Sequence, residues 1–196
     1  AMIPVMLFLA PPDPARYVYP VTAPKACPRI VVDTKEAPDL APWAEAAVRT
    51  ARDWWPHVTS ILATERFRSP RTLRFVFREK QDPPAYCAGN EISFKASWIR
   101  DHPDDMGIVV HELTHAIQAY PRNEADSGWL VEGIADWVRW WRYEPEAPRS
   151  RIDWSRASYR DAYRTTAAFL AWTTARYDRR LVSSLDRSLR AGKDPM

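Results

Sequence analysis

The segment His111-Glu112-Leu113-Thr114-His115 has two imidazoles and a carboxylate at a spacing suited to metal chemistry. Residues four apart lie on one face of an α-helix, so the rings of His111 and His115 converge on one point. A Zn²⁺ ion held by both rings keeps a coordination position for water, and Glu112 can take a proton from that water. The pattern predicts a hydrolytic zinc site with two histidine ligands and Glu112 as general base.

Two acidic residues farther along the chain share a face of another predicted helix. Glu132 and Asp136 are four residues apart in the segment 129–143, which is apolar almost all round and is expected to be buried. A catalytic zinc usually has three protein ligands, and His-His-Glu is one established set. We expect Glu132 to complete this set and Asp136 to accept the free ring N–H of a liganding histidine. Glu124 and Asp126, on a polar loop, remain alternative ligands.

Less specific interpretations compete with this one. The two histidines can be satisfied core residues, or a zinc ion can be purely structural. The interposed Glu112 and the pair Glu132 and Asp136 favour a metal site, and structural zinc sites are usually closed by four ligands that include cysteine. A third histidine ligand six residues after His115 is excluded, because position 121 is proline.

Other residues are candidates for contact with a substrate. Tyr163, and second Tyr159, can donate a hydrogen bond to a developing oxyanion, although both hydroxyls can equally serve packing. Trp129, at the start of the helix that carries Glu132, is expected to line a cleft. The strand around residues 90–94 is expected to form the sheet edge that faces this cleft, with substrate contacts from Asn90, Glu91 and Ile92.

The elements that position these residues follow from the residue patterns. Prolines separate a proline-rich extended segment, residues 1–28, from a single expected domain at residues 29–196. Strands are predicted at 29–33, 72–77 and 85–95, the last broken by Gly89-Asn90, and helices at 41–65, 104–120 and 129–143. The expected fold class is α/β (α+β), with a small mixed sheet and a helical C-terminal half.

Composition limits the classes of partner. Of 196 residues, 46% are hydrophobic and ten are tryptophan, which favours a compact fold over disorder. Arginine supplies most of the positive charge, but it alternates with acidic residues and the formal net charge is only +3. We therefore expect no nucleic-acid partner, and the shortness of the apolar runs predicts no membrane association. The expected state is a monomer.

The cysteines and the N-terminus bear on the cellular compartment. Cys27 and Cys87 can form one disulfide or remain two buried thiols, and their positions in or before predicted strands slightly favour the disulfide. The apolar stretch at residues 2–10 can be a trimmed signal segment or a buried stretch. We expect a secreted or cell-envelope protein.

Four segments carry a family resemblance. They read GIVVHELTHAIQ at 107–118, GWLVEGIADWVR at 128–139, YRTTAAFLAW at 163–172 and GNEIS at 89–93. Together they resemble the basic secretory protein family, peptidases of plants and bacteria, over about residues 29 to 192. Family members often continue beyond the point where this sequence stops, which leaves the extent of the C-terminal lobe open.

The resemblance implies a gluzincin-like zinc peptidase with a zincin-like fold and one catalytic Zn²⁺. Its ligands would be His111, His115 and Glu132, with Glu112 as base. By resemblance to thermolysin-like enzymes, whose second helix carries Glu-x-x-x-Asp, Asp136 is expected to pair with His111. The implied substrate is an extended peptide or protein cleaved internally. The alternatives are a catalytically inactive zinc-containing peptide-binding module and an aminopeptidase.

Overall fold

The computed structural model describes residues 22–121 and 127–193. The strands are β1 (Arg29–Asp33), β2 (Thr72–Arg78), β3 (Ala85–Ala88) and β4 (Glu91–Lys95). The α-helices are α1 (Ala41–Leu62), α2 (Ala96–Asp101), α3 (Gly107–Gln118), α4 (Gly128–Val138), α5 (Tyr163–Arg176) and α6 (Leu181–Arg190). A 3₁₀ turn (Pro38–Leu40) precedes α1, and a π-helical turn (Arg139–Tyr143) continues α4. Within these described residues, no helix has the length and apolar character that a membrane crossing needs.

The four strands form one mixed sheet, which confirms the predicted fold class. The order is β1-β2-β4-β3, with β1, β2 and β4 parallel and β3 antiparallel to β4. The turn Gly89-Asn90 splits the third predicted strand into the β3–β4 hairpin, and Gly89 has a φ of +60°, which glycine adopts without strain.

The prediction that residues 90–94 form the sheet edge is wrong, because β4 lies between β2 and β3. Ile92, Ser93 and Phe94 are all completely buried, as befits a strand with neighbours on both sides. Strand β3, in which exposed Tyr86 and Ala88 alternate with less exposed residues, is the edge strand on this side of the sheet.

Helix α3 lies at the centre of the molecule. It packs against α1, α4 and the β3–β4 hairpin. Its side chains Val109, Leu113 and Ile117 are completely buried in the core that also contains Trp55 and Phe94. Each such side chain contributes roughly 1.5–3 kcal/mol through burial. The helix that carries both histidines is therefore held on several sides.

A buried polar network fixes the C-terminal end of α3. The guanidinium of Arg190, in α6, donates hydrogen bonds to the carbonyl oxygens of Ile117 and Gln118, both at 3.1 Å. These carbonyls have no partner within their own helix. The carboxylate of Asp186 accepts from Arg190 and from the hydroxyl of Tyr120, both at 2.8 Å. Helix α6 thereby anchors the end of the helix that bears the histidines.

Residues 22–28 of the predicted N-terminal segment attach to the end of α1. The Thr22 hydroxyl donates to the carbonyl oxygen of Thr59 at 2.9 Å, and the Lys25 N–H donates to the Thr59 hydroxyl at 3.0 Å. The rest of this segment, residues 1–21, lies outside the described residues. The boundary at residue 28 stays a prediction.

The favoured disulfide is absent, since Cys27 and Cys87 are both free. Cys27 precedes β1 and Cys87 lies in β3, and these strands are the two opposite edges of the sheet. Three strand spacings of about 4.8 Å separate them, whereas a disulfide needs Cα atoms within about 7 Å. The sequence could not reveal this separation, because it depends on the strand order.

Candidate active site

Helix α3 presents His111 and His115 on the face that lines a cleft of about 1230 Å³. Glu132, on α4, approaches the same point. The Nε2 atoms of the two histidines are 3.1 Å apart, and Glu132 Oε2 lies 3.3 Å from the first and 3.4 Å from the second. These three atoms, which we call the donor triangle, could hold a metal ion. The structure therefore brings together the three residues that the sequence predicts as ligands.

The ring of His111 is oriented from α4. Its Nδ1–H donates to Asp136 Oδ1 at 2.8 Å, and Asp136 is 6% exposed. Because Nδ1 is engaged by Asp136, Nε2 is the nitrogen that faces the donor triangle. Burial alone would lower the pKa of His111, but its hydrogen bonds to Asp136 and Glu132 raise it to about 10. The electrostatics of the site therefore favour a bound cation.

The ring of His115 is oriented by Gln118, a residue that the sequence analysis missed. The Nδ1–H of His115 donates to Gln118 Oε1 at 2.7 Å, and Gln118 Nε2 donates to the carbonyl oxygen of Val131 in α4 at 3.0 Å. The available signal was a glutamine three residues after His115, one helical turn along the same face. Each histidine thus has its own hydrogen-bond acceptor on the side opposite the donor triangle.

Glu132 is the acidic member of the triangle. Burial alone would raise the pKa of Glu132, but hydrogen bonds from His111 and His115 lower it. The carboxylate is therefore ionised beside the two rings, and its charge adds to the affinity of the triangle for a cation.

Glu112 lies beside the triangle without joining it. Its side chain is 5% exposed, and Oε2 has no hydrogen-bond partner among the described residues. Burial raises the pKa of this carboxyl, while the nearby charge of His111 opposes the shift. A buried carboxylate with a free oxygen is suited to accepting a proton from a molecule that enters the cleft.

A family model described as "peptidase of plants and bacteria" matches residues 42–195, which include all of these side chains. The chain belongs to this peptidase family. Its substrates are accordingly peptides or proteins. No curated protein and no solved structure gives a significant match to the chain.

Tyr163 lies in the cleft of this peptidase at the first residue of α5. Its φ of 42° and the φ of 61° at Ala162 are left-handed, which is uncommon for residues other than glycine and typical of functional sites. The negative charge of Glu132 and partial burial raise the pKa of Tyr163. The phenol therefore remains protonated near neutral pH and can donate a hydrogen bond towards the triangle.

The remaining predicted site residues lie elsewhere. Tyr159 packs its ring against Trp129 at 5.5 Å, and neither residue lines the cleft. Asn90 is in the hairpin turn, Glu91 forms ion pairs along the sheet, and Ile92 is completely buried. The described structure does not bring these residues to the cleft, and their roles in catalysis or substrate binding stay predictions. The alternative ligands Glu124 and Asp126 lie outside the described residues.

Two glycines occupy tightly packed positions on the helices that carry the site. A Cβ atom on Gly133, in α4, would lie 2.2 Å from Thr166 Cγ2 in α5. A Cβ atom on Gly107, at the first residue of α3, would lie 2.2 Å from Glu144 Oε1. Both distances are far below ordinary contact. The absence of a side chain at Gly133 therefore permits the close packing of α4 against α5, whereas a side chain at Gly107 would displace the flexible carboxylate of Glu144, which lies beyond the π-helical turn.

Arg139 ties the beginning of α3 to the end of α4. It donates to Asp105 Oδ1 and to Glu144 Oε1, both at 2.6 Å. The same oxygen of Asp105 accepts the N–H of Ile108 in the first turn of α3, at 3.2 Å. Arg139 therefore has two carboxylate partners and contributes to the geometry of the cleft wall.

Proposed function

We propose that this chain is a zinc-dependent peptidase with a zincin-like fold that cleaves within extended peptides or proteins. The observation that carries the proposal is the donor triangle beside the unpaired oxygen of Glu112. Family membership supports the peptidase activity, and the triangle supports the use of a metal.

The donor triangle fits zinc in size and in chemistry. Nitrogen and oxygen ligands at about 2.0–2.1 Å from a tetrahedral ion are about 3.3 Å apart. The separations in the triangle are 3.1, 3.3 and 3.4 Å. Two imidazoles and one carboxylate also leave a fourth position open, which is typical of catalytic and not of structural zinc sites.

Bound zinc would act as a Lewis acid on water and on the scissile carbonyl. Glu112 would accept the proton of the attacking water and deliver it to the leaving nitrogen. Tyr163 would donate a hydrogen bond to the oxyanion that develops on the carbonyl oxygen. Asp136 and Gln118 would hold the two imidazoles in their orientations during these steps.

The edge strand β3 offers a place for an extended substrate. The carbonyl oxygen of Pro84 accepts from Lys95 N–H at 2.8 Å, so alternate residues from Pro84 onwards face β4. The backbone N–H and C=O groups of Ala85 and Cys87 therefore point away from β4, and both residues line the cleft. A peptide could add to this edge through main-chain hydrogen bonds, which suits many side chains and favours cleavage within a chain.

The test combines metal analysis with peptide cleavage. We expect one zinc ion per chain, and Glu112→Gln should retain that zinc while lowering kcat by about 10²- to 10⁴-fold. Glu45→Gln, a change at an exposed position on α1, should leave both quantities unchanged. Retained hydrolysis in Glu112→Gln would show that the base is wrongly assigned.

Two further measurements separate the alternatives. Glu132→Ala should weaken zinc binding, and unchanged affinity would exclude Glu132 as a ligand. Blocking the N-terminus of a substrate should leave its cleavage intact, whereas loss of cleavage would indicate an aminopeptidase. Zinc binding without cleavage of any peptide in a broad library would instead favour a peptide-binding module.

A further inference from the structure

The positive charges that line the cleft differ in whether they are neutralised. Arg139 forms ion pairs with Asp105 and Glu144, both at 2.6 Å. Arg164, the other arginine of the lining, has no carboxylate oxygen within 4 Å in the part of the chain that the structure describes. The guanidinium of Arg164 therefore carries a positive charge that no described carboxylate neutralises.

Neutral groups hold the guanidinium of Arg164 in place. Its Nη1 donates to the hydroxyl of Ser150 at 2.7 Å, and its central carbon lies 4.4 Å from the ring centroid of Trp140. The side chain is half-buried. Since one hydrogen bond uses only one of five N–H donors, a planar pair of donors remains available for a bidentate acceptor. Stacking and the single hydrogen bond fix its direction without cancelling its charge.

The position of Arg164 relates it to the proposed reaction. It directly follows Tyr163, and Trp140 lies eight residues beyond Glu132 along α4 and its π-helical continuation. Eight helical residues span about 12 Å. An extended peptide covers that distance in about three or four residues. The guanidinium is therefore placed to meet a group on the substrate a few residues from the scissile bond.

We propose that Arg164 is a specificity-determining residue that binds a carboxylate of the substrate, either an acidic side chain or a free C-terminus. This inference rests on the proposed peptidase function. It adds a substrate preference that the donor triangle does not provide, because the triangle and Glu112 act on the peptide bond alone. Trp140 and Ser150 act as positioning residues for the guanidinium.

The test uses matched pairs of internally quenched peptides. Each pair carries Glu or Gln at one of four positions on either side of the scissile bond, and a further pair ends in a free carboxylate or an amide. For at least one pair, we expect kcat/KM to be about tenfold or more higher for the carboxylate, as charged hydrogen bonds commonly provide. The position of the preferred pair distinguishes an acidic side chain from a C-terminus. Equal kcat/KM values within every pair would overturn the proposal without any variant being needed.

The variants isolate the residue. Arg164→Gln should remove the preference and leave kcat/KM for the neutral peptides within about threefold, and Arg164→Lys should retain part of it. Arg160→Gln removes an equal charge from an exposed residue that stacks near Trp129 and does not line the cleft, so it should keep the preference. If Arg164→Gln keeps the wild-type ratio of kcat/KM between the carboxylate peptide and its neutral partner, Arg164 does not determine the preference.

A binding measurement separates this inference from the proposed function. Calorimetry with Glu112→Gln compares the Kd of the same peptide pairs without hydrolysis. Tighter binding of the carboxylate member, lost in Glu112→Gln/Arg164→Gln, would support Arg164 even if the wild-type chain cleaved no peptide. Equal binding of both members, together with cleavage of neutral peptides by the wild type, would refute the role of Arg164 and leave the peptidase proposal intact.

Discussion

The Nδ1–H of His115 donates a hydrogen bond of 2.7 Å to Gln118 Oε1, and both residues belong to the last turn and a half of α3. Gln118 is 1% exposed and continues the contact to α4 through the carbonyl oxygen of Val131. A single buried amide thus orients a proposed ligand and joins two helices. The two functions can be separated by mutation.

Gln118→Met should remove both hydrogen bonds and weaken metal affinity by about 10- to 100-fold, as loss of ligand-orienting groups usually does. Gln118→Glu keeps an acceptor for His115 but cannot donate to Val131, so we expect it to retain more of the affinity. Competition titration with a chromogenic chelator measures the metal affinity of both variants. Equal losses in the two variants would show that the acceptor for His115 does not control affinity.

Gly133→Ala should destabilise the fold, because its Cβ would lie 2.2 Å from Thr166 Cγ2 between α4 and α5. Such overpacking typically costs about 1–3 kcal/mol in the free energy of unfolding. Gly128→Ala, at the first residue of the same helix, meets nothing within 4 Å and should be neutral or slightly stabilising. Urea denaturation compares the two, and equal midpoints would contradict the close packing.

Arg190→Met should leave the carboxylate of Asp186 buried without its cationic partner. Asp186 is completely buried, and the loss of one member of a buried ion pair commonly costs about 3–5 kcal/mol. Arg187→Met is the control on the same helix. Among the described residues, Arg187 pairs with exposed Glu65 alone, at 3.7 Å, so its loss should change stability by less than about 1 kcal/mol. Similar unfolding midpoints for the two variants would argue against a stabilising role for the network.

Both cysteines should be titratable as thiols in denaturant without a reductant. Their places at opposite edges of the sheet prevent pairing. In the folded protein the reaction should be slow, because burial raises the pKa of Cys87 to about 12 and that of Cys27 to about 11. Mass spectrometry after alkylation distinguishes this state from a disulfide, in which neither cysteine would be labelled.

The local features of the site could be predicted from the sequence, because helical spacing alone fixes them. Residues four apart share a helix face, so the pairing of His111 with His115 and of Glu132 with Asp136 follows without a structure. That the second pair approaches the first did not follow from helical spacing, and the expectation rested on His-His-Glu being an established zinc ligand set. The contact between His111 and Asp136, suggested by resemblance to thermolysin-like enzymes, is present at 2.8 Å.

Features that depend on distant parts of the chain could not be predicted. The strand order places β3 at the edge of the sheet and β4 inside it. The pattern of apolar and polar side chains does not show which strand of a hairpin pairs with the rest of the sheet. The sequence favours Tyr163 over Tyr159 but does not show which of them reaches the cleft; α5 begins only at Tyr163, after a left-handed Ala162. A glutamine at the end of a helix can equally well face solvent. The role of Gln118 could therefore be recognised only once the structure showed that its amide also contacts Val131 in α4.

The hydrogen bonds that aim the two histidine rings come from Asp136, which is on α4, and from Gln118, which is itself fastened to α4. The orientation of the proposed ligands is thus secured by the packing of two helices. A substitution that shifts α4 relative to α3 would therefore misalign both rings at once, even if it lay far from the donor triangle. The affinity of the proposed site for its ion is in this sense a property of the interface between two helices, and not of the three ligands alone.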